Sequence, residues 1–125
     1  MARILIVDDE EPMRFLIKEF LSTGGHELYT ANGAKQAFDV MTSKKIDLAI
    51  IDRNMPSVGG VDLVRTMRLN PKTTKIKTLM CTGSSVTREI DEAFSAGVDD
   101  YVLKPLNYEA FIAKVERVLL LPEKI

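Results

Sequence analysis

The chain has 125 residues, 46% of them hydrophobic, enough apolar material for one packed domain and too much for a disordered segment. Its 17 basic and 18 acidic residues leave a formal net charge of −1, so no basic field draws nucleic acid or a membrane surface, and the lone Cys81 excludes an internal disulfide or a cysteine-rich metal site. No stretch approaches the ~20 apolar residues of a spanning helix, and the run Ile4–Val7 is too short for a signal peptide, so the expectation is a cytoplasmic protein.

Arg3–Val7 (RILIV) reads as a buried strand. Pro12 can open a helix and Gly24-Gly25 can close it, with Met13, Leu16, Ile17, Phe20 and Leu21 on one face. Glu27–Ala31 (ELYTA) is a more polar strand. Asn32-Gly33 then opens a second helical stripe of Ala34, Ala37, Phe38 and Met41. Asp47–Ile51 (DLAII) is a third strand, and Leu63, Val64 and Met67 mark a short helix that ends before Pro71. Lys77–Cys81 (KTLMC) is a fourth strand, and Ile90, Ala93, Phe94 and Gly97 give a fourth helix. Tyr101–Leu103 is a fifth strand, and Tyr108, Phe111, Ile112, Val115 and Leu119 give the last helix. Strands alternating with helices imply an α/β fold: a parallel sheet covered on both faces, in one domain over residues 1–125.

The residues that follow the strands carry the chemistry. Asp8 and Asp9 follow the first, Asp52 the third, Thr82 the fourth, and Lys104-Pro105 the fifth. Ligands of open parallel sheets bind outside the carboxyl ends of the strands, so these residues can meet in one crevice. Packed carboxylates repel unless protons or a cation intervene. Hard oxygen ligands with open positions suit Mg²⁺, which keeps waters and binds substrate phosphates. A lysine and a hydroxyl opposite the metal can hold phosphoryl oxygens, and an aspartate can itself accept a phosphoryl group. That would explain why Asp52 ends an apolar run, where an unpaired carboxylate is costly.

The segments Ile4–Glu10 (ILIVDDE), Asp47–Pro56 (DLAIIDRNMP) with Gly60 beyond it, Cys81–Gly83 (CTG) and Ala96–Pro105 (AGVDDYVLKP) resemble, in order and spacing, the receiver domain of two-component response regulators. The resemblance covers the whole chain and is to the single-domain, chemotaxis-regulator type. It implies a flavodoxin-like (βα)5 doubly wound fold with five parallel strands in the order 2-1-3-4-5. It implies that Asp52 is the phospho-acceptor, with Mg²⁺ bound by Asp9 directly, by Asp8 mostly through water, by Asp52 and by the backbone carbonyl of Asn54. Thr82 would bond a phosphoryl oxygen and Lys104 would pair with the phosphate, across a cis Lys104–Pro105 bond.

The implied donor is a phosphohistidine on a sensor histidine kinase or a histidine phosphotransfer protein. Asp52 would attack in line, with Mg²⁺ and Lys104 stabilising the equatorial charge. By the same resemblance Thr82 and Tyr101 form the switch, and the face of helix four, strand five and helix five binds a downstream protein target. Such a domain is a phospho-acceptor that takes part in its own phosphorylation and dephosphorylation, rather than a turnover enzyme. The oligomeric state stays open between a monomer and a dimer formed on phosphorylation, as does the choice between a stand-alone protein and part of a longer one.

Each residue also has a plainer reading. Asp8-Asp9 could be helix-cap carboxylates, Tyr101 a core residue, and Cys81 reads as small core. Lys72, Lys75 and Lys77 read as a solvated run; the resemblance implies that Arg53 faces solvent, where it would touch a partner or the phosphate surroundings. Gly83, Thr78 and Gly59 depart from the commonest family residues, while Ser84 and Asn54 flank the site. A phosphohydrolase using an aspartyl phosphate would need an Asp-x-Asp pair after a strand, which Asp52-Arg53-Asn54 lacks. A flavin carrier would need a Ser/Thr/Gly-rich loop where Asp8–Pro12 stands, and no G-x-G-x-x-G follows a strand. A docking module that is never phosphorylated remains a rival.

Overall fold

In the computed structural model, which describes residues 1–123, strands and helices alternate strictly along the chain. β1 (Arg3–Val7) leads to α1 (Glu11–Leu21), β2 (Glu27–Ala31) to α2 (Ala34–Ser43), and β3 (Leu48–Asp52) to α3 (Gly60–Leu69). β4 (Lys77–Thr82) leads to α4 (Thr87–Ala96), and β5 (Asp100–Leu103) to α5 (Tyr108–Leu119). All neighbouring strands pair in parallel, in the order β2-β1-β3-β4-β5 that the resemblance implies.

The apolar runs of the inner strands follow from burial on both faces. Leu5, Val7, Ala49, Ile51 and Met80 face a layer built from α2, α3 and α4. Ile4, Ile6, Leu48, Ile50, Leu79 and Cys81 face the opposite layer, where Ile17 and Leu21 of α1 meet Phe111, Val115 and Val118 of α5. Fully burying one such large side chain contributes about 1.5–3 kcal/mol, and two complete layers are what hold the sheet. β2 is an edge strand, so Glu27 and Thr30 stay exposed along it and its polarity discourages edge pairing.

Several boundaries differ from expectation for local reasons. Asp47 does not open β3; its carboxylate accepts the Arg3 N–H at 2.7 Å instead. Asp52 lies within β3, opposite Cys81, and the ladder continues through the Arg53 N–H to the Cys81 carbonyl at 2.9 Å. Thr82 is likewise the last residue of β4, and its carbonyl accepts the Lys104 N–H at 2.8 Å. β5 starts one residue earlier than expected, at Asp100. Gly97 is not helical but caps α4 at φ 114°, a left-handed conformation that suits glycine. Leu16 of the first stripe stays 36% exposed, so the buried face of α1 is narrower than its pattern.

Basic side chains brace the loops at the other end of the sheet. Arg68 of α3 donates to the carbonyls of Gly97, Thr74 and Ile76 and to the Thr78 hydroxyl, and lies 3.4 Å from Asp99. Burial pulls its pKa down, with Asp99 acting the other way. Lys77 is not part of a solvated run: its ammonium donates to the carbonyls of Leu119 and Leu121 at the end of α5. A concavity of about 580 Å³ near Lys44, Lys75 and Ile76 lies at this end, remote from the carboxyl ends of the strands.

Candidate functional site

The sheet order reverses between β1 and β3, and there the carboxyl ends of the strands open a crevice. Val7 pairs with Ile51, so the next residues, Asp8 and Asp52, stand side by side at that edge. Both are buried, at 1% and 5% exposure, while Asp9 is exposed. A carboxylate oxygen from each of the three lies within 4.8 Å of the others.

Lys104 closes the crevice from the end of β5. Its ammonium donates to Asp52 Oδ1 at 2.9 Å and lies 3.6 Å from Asp8 Oδ2. The Lys104–Pro105 peptide is cis, as the resemblance implies. One ammonium thus faces three carboxylates. Asp8 Oδ1 accepts the Glu10 N–H at 2.8 Å, but Asp8 Oδ2 is buried with no hydrogen-bond partner. A buried carboxylate oxygen that accepts no hydrogen bond, with its one cation 3.6 Å away and two more carboxylates beside it, is a place for a second cation. All the donors are hard oxygens, which fit a hard divalent ion such as Mg²⁺.

The titration of the group reflects the same imbalance. Burial pushes the Asp52 carboxyl above its usual range, opposed by the hydrogen bond from Lys104 and reinforced by the charge of Asp8. Burial acts to lower the Lys104 ammonium, yet the bond to Asp52 and the charges of Asp52 and Asp8 outweigh it and hold the lysine above its usual value. The backbone of the exposed Asn54 acts against burial, favouring the ionised form of the Asp52 carboxyl.

Gly60 lets the α3 loop close on the acceptor strand: its N–H donates to the Arg53 carbonyl at 2.7 Å. Thr82, 4% exposed, forms the far wall, and its hydroxyl oxygen accepts the Ser84 N–H at 3.1 Å. Tyr101 is half-buried: its ring stacks edge-on to Phe94 at 5.9 Å, with Lys114 Nζ 4.8 Å from its centroid. It therefore lies at the face of α4, β5 and α5 rather than among the carboxylates. Arg53 corrects its sequence reading. Its side chain is only 10% exposed and turns onto α4, donating to the Glu89 carbonyl at 2.7 Å and pairing with Glu92.

Fold and site together define a doubly wound α/β domain with an acidic, lysine-closed crevice at its switch point. The chain belongs to the response regulator receiver domain family of two-component signalling, which matches residues 4–116. It is 34% identical over 117 residues to the chemotaxis protein CheY of Pseudomonas aeruginosa, covering 93% of this chain and 94% of that protein. It is 33% identical over 116 residues to the phosphate regulon transcriptional regulatory protein PhoB of the same species, covering 93% of this chain and 51% of that one. The chain therefore spans about half the length of PhoB and nearly all of CheY. The structure of the chemotaxis response regulator CheY4 of Vibrio cholerae superposes with a TM-score of 0.89 at 28% identity, covering 94% of this chain and 98% of that one. Among the described residues no helix is long and apolar enough to cross a membrane.

Proposed function

We propose that this chain is a single receiver domain whose Asp52 accepts a phosphoryl group from a phosphohistidine, on a sensor histidine kinase or a histidine phosphotransfer protein in the cytoplasm. The observation that carries the reading is the placement of Lys104 Nζ at 2.9 Å from Asp52 and 3.6 Å from Asp8 Oδ2, a buried oxygen that accepts no hydrogen bond. A carboxylate with one fixed cation and an unmet need for a second suits the acceptor of an anionic group.

A carboxylate oxygen of Asp52 attacks phosphorus, the phosphorus–nitrogen bond to the donor imidazole breaks, and its electron pair returns to the ring. Mg²⁺ held by Asp9, Asp8 through water, Asp52 and the Asn54 carbonyl would supply neutralisation of equatorial charge on the transferring group. Lys104 holds a phosphoryl oxygen from the β5 side, and the Thr82 hydroxyl donates to another from β4. Leaving Ser84, Thr82 moves toward the added charge, and Tyr101 turns into the space it vacates. The face of α4, β5 and α5 then changes partner, a shift between two packed states. Hydrolysis of the acyl phosphate restores the starting state.

Phosphate-affinity electrophoresis after incubation with acetyl phosphate tests the reading. A shifted band is expected with Mg²⁺ in the wild type, and none with EDTA or in Asp52→Asn. No shift from small donors or from any of a panel of histidine kinases would favour a docking module that works without phosphorylation.

A further inference from the structure

Resting on the reading of Asp52 as acceptor, we propose that Arg53 is a positioning residue that latches α4 in its resting place, and that modification of Asp52 loosens this latch. Arg53 is the next residue after Asp52, and its backbone has no slack. The N–H donates to Cys81 at 2.9 Å and the carbonyl accepts from Gly60 at 2.7 Å. The side chain leaves this fixed base and crosses to α4. A guanidinium offers several donors in a rigid fork, so two acceptors on one helix fix its orientation and not only its distance. Here they are the Glu89 carbonyl, at 2.7 Å, and the Glu92 carboxylate.

The opposite wall of the site reaches the same turn of α4. The Ser84 N–H donates to the Thr82 hydroxyl oxygen at 3.1 Å, and the Ser84 hydroxyl donates to the Glu89 carboxylate at 2.8 Å. Glu89 is thus held by its carboxylate from the Thr82 side and by its carbonyl from the Asp52 side. A phosphoryl group on Asp52 adds roughly −1.5 to −2 charge one residue along the chain from Arg53, and that charge draws the guanidinium back from Glu92. Glu92 is the end that yields. Its side chain is 50% exposed, so water solvates it when the cation leaves, and Arg65 stands 3.9 Å away as a second partner. Loss of the Arg53 tie frees the start of α4 while Thr82 lets go of Ser84, so both walls release one helix together.

The test compares ¹⁵N-labelled wild type, Arg53→Gln, Glu92→Gln, the double variant and Arg65→Gln, each without a donor and with acetyl phosphate and Mg²⁺. Amides of Thr87–Ala96 in Arg53→Gln and Glu92→Gln should lie, without donor, along the line joining unmodified and modified wild type. Modification should be about two- to five-fold faster, the factor for releasing one partly exposed ion pair. The double variant should go no further than Arg53→Gln. Glu92→Gln lies on the surface and keeps the fold intact. α4 amides at their resting positions in both single variants, additive effects, or an equal displacement in Arg65→Gln would overturn the latch. Wild type that takes no phosphoryl group removes the acceptor reading and the latch together; modified wild type with unmoved variants removes the latch alone.

Discussion

A β-carbon placed on Gly60 would stand 2.5 Å from the carbonyl oxygen of Asp52 and 3.0 Å from the Cα of Arg53. The contact is with backbone, which cannot swing aside as a side chain does. Gly60→Ala must push the start of α3 away from the end of β3, and overpacking of this kind costs about 1–3 kcal/mol. The same displacement strains the Gly60–Arg53 hydrogen bond and misaligns Asp52 against Lys104. Urea unfolding should show the loss of stability, and acetyl phosphate should modify the variant more slowly. Wild-type behaviour in both would mean that the loop relaxes freely and does not position the acceptor.

Without metal, the crevice is a place where charge costs stability. Burial raises the folded pKa of Asp52, so its contribution favours folding at low pH and is lost as pH rises through that folded value. At pH 7 in EDTA, Asp52→Asn should therefore be more stable than wild type by about 1 kcal/mol or more, since one buried carboxylate fewer competes for Lys104. The advantage should shrink as pH falls through the raised folded value toward the ordinary carboxylate value of 3.8, and level off below it. Mg²⁺ should reverse the order. A ligand at a hundred times its dissociation constant adds about 2.7 kcal/mol, and that gain should be large in wild type and small in the variant. Thermal melts with EDTA and with Mg²⁺ check both halves; equal responses to Mg²⁺ would place the cation elsewhere.

Cys81 lies in β4 directly opposite Asp52, yet it is 1% exposed, and burial pushes its thiol up to about 12. The thiolate is the reactive form, so this cysteine should be inert in the folded protein. Iodoacetamide at pH 8 should label it only as fast as the domain opens, and labelling should accelerate sharply in denaturing urea. Fast labelling under native conditions would show that the β4 ladder opens locally.

Residues that burial dictates are the ones legible from the chain. β1, β3 and β4 are covered on both faces, so Ile4–Val7, Leu48–Ile51 and Leu79–Cys81 stand out as unbroken apolar runs. Asp8, Asp52 and Thr82 are marked because each ends such a run, with Asp9 directly after Asp8 and Lys104 after the shorter Tyr101–Leu103, and parallel register does the rest by bringing Val7 beside Ile51. Side chains whose partners are remote carry no such mark. Arg53 meets residues 36 and 39 positions away, and nothing local distinguishes it from a solvated arginine. Arg68 is similar, since its acceptors come from two segments, Thr74–Thr78 and Gly97, that only the fold brings together. Lys77 reads as one of three nearby lysines until the carbonyls ending α5 are placed over it.

Asp100 offers the clearest pH signature outside the crevice. It is 6% exposed, and its carboxylate is bonded by Lys114 at 3.1 Å, by Arg117 and by the Tyr101 N–H at 2.8 Å. Burial alone would raise its pKa, but the bonds from Arg117, Tyr101 and Lys114 outweigh it and hold the carboxyl below its ordinary 3.8. A depressed folded pKa contributes stability that is present above the unfolded value and lost as pH falls through the folded one. Asp100→Asn should therefore lose about 1–3 kcal/mol near neutral pH, the scale of a charge-assisted bond at a buried acceptor. The gap to wild type should close as the solution is taken from pH 5 to below the folded pKa. Salt should narrow it only in part, because the carboxylate is buried while the Arg117 side chain is 66% exposed. Lys114, which also lies 4.8 Å from the Tyr101 ring centroid, would keep an amide oxygen to donate to but lose its ion pair. Urea melts of both proteins at a series of pH values decide the matter: a difference that stays constant with pH would assign the loss to packing and not to the ionised carboxylate.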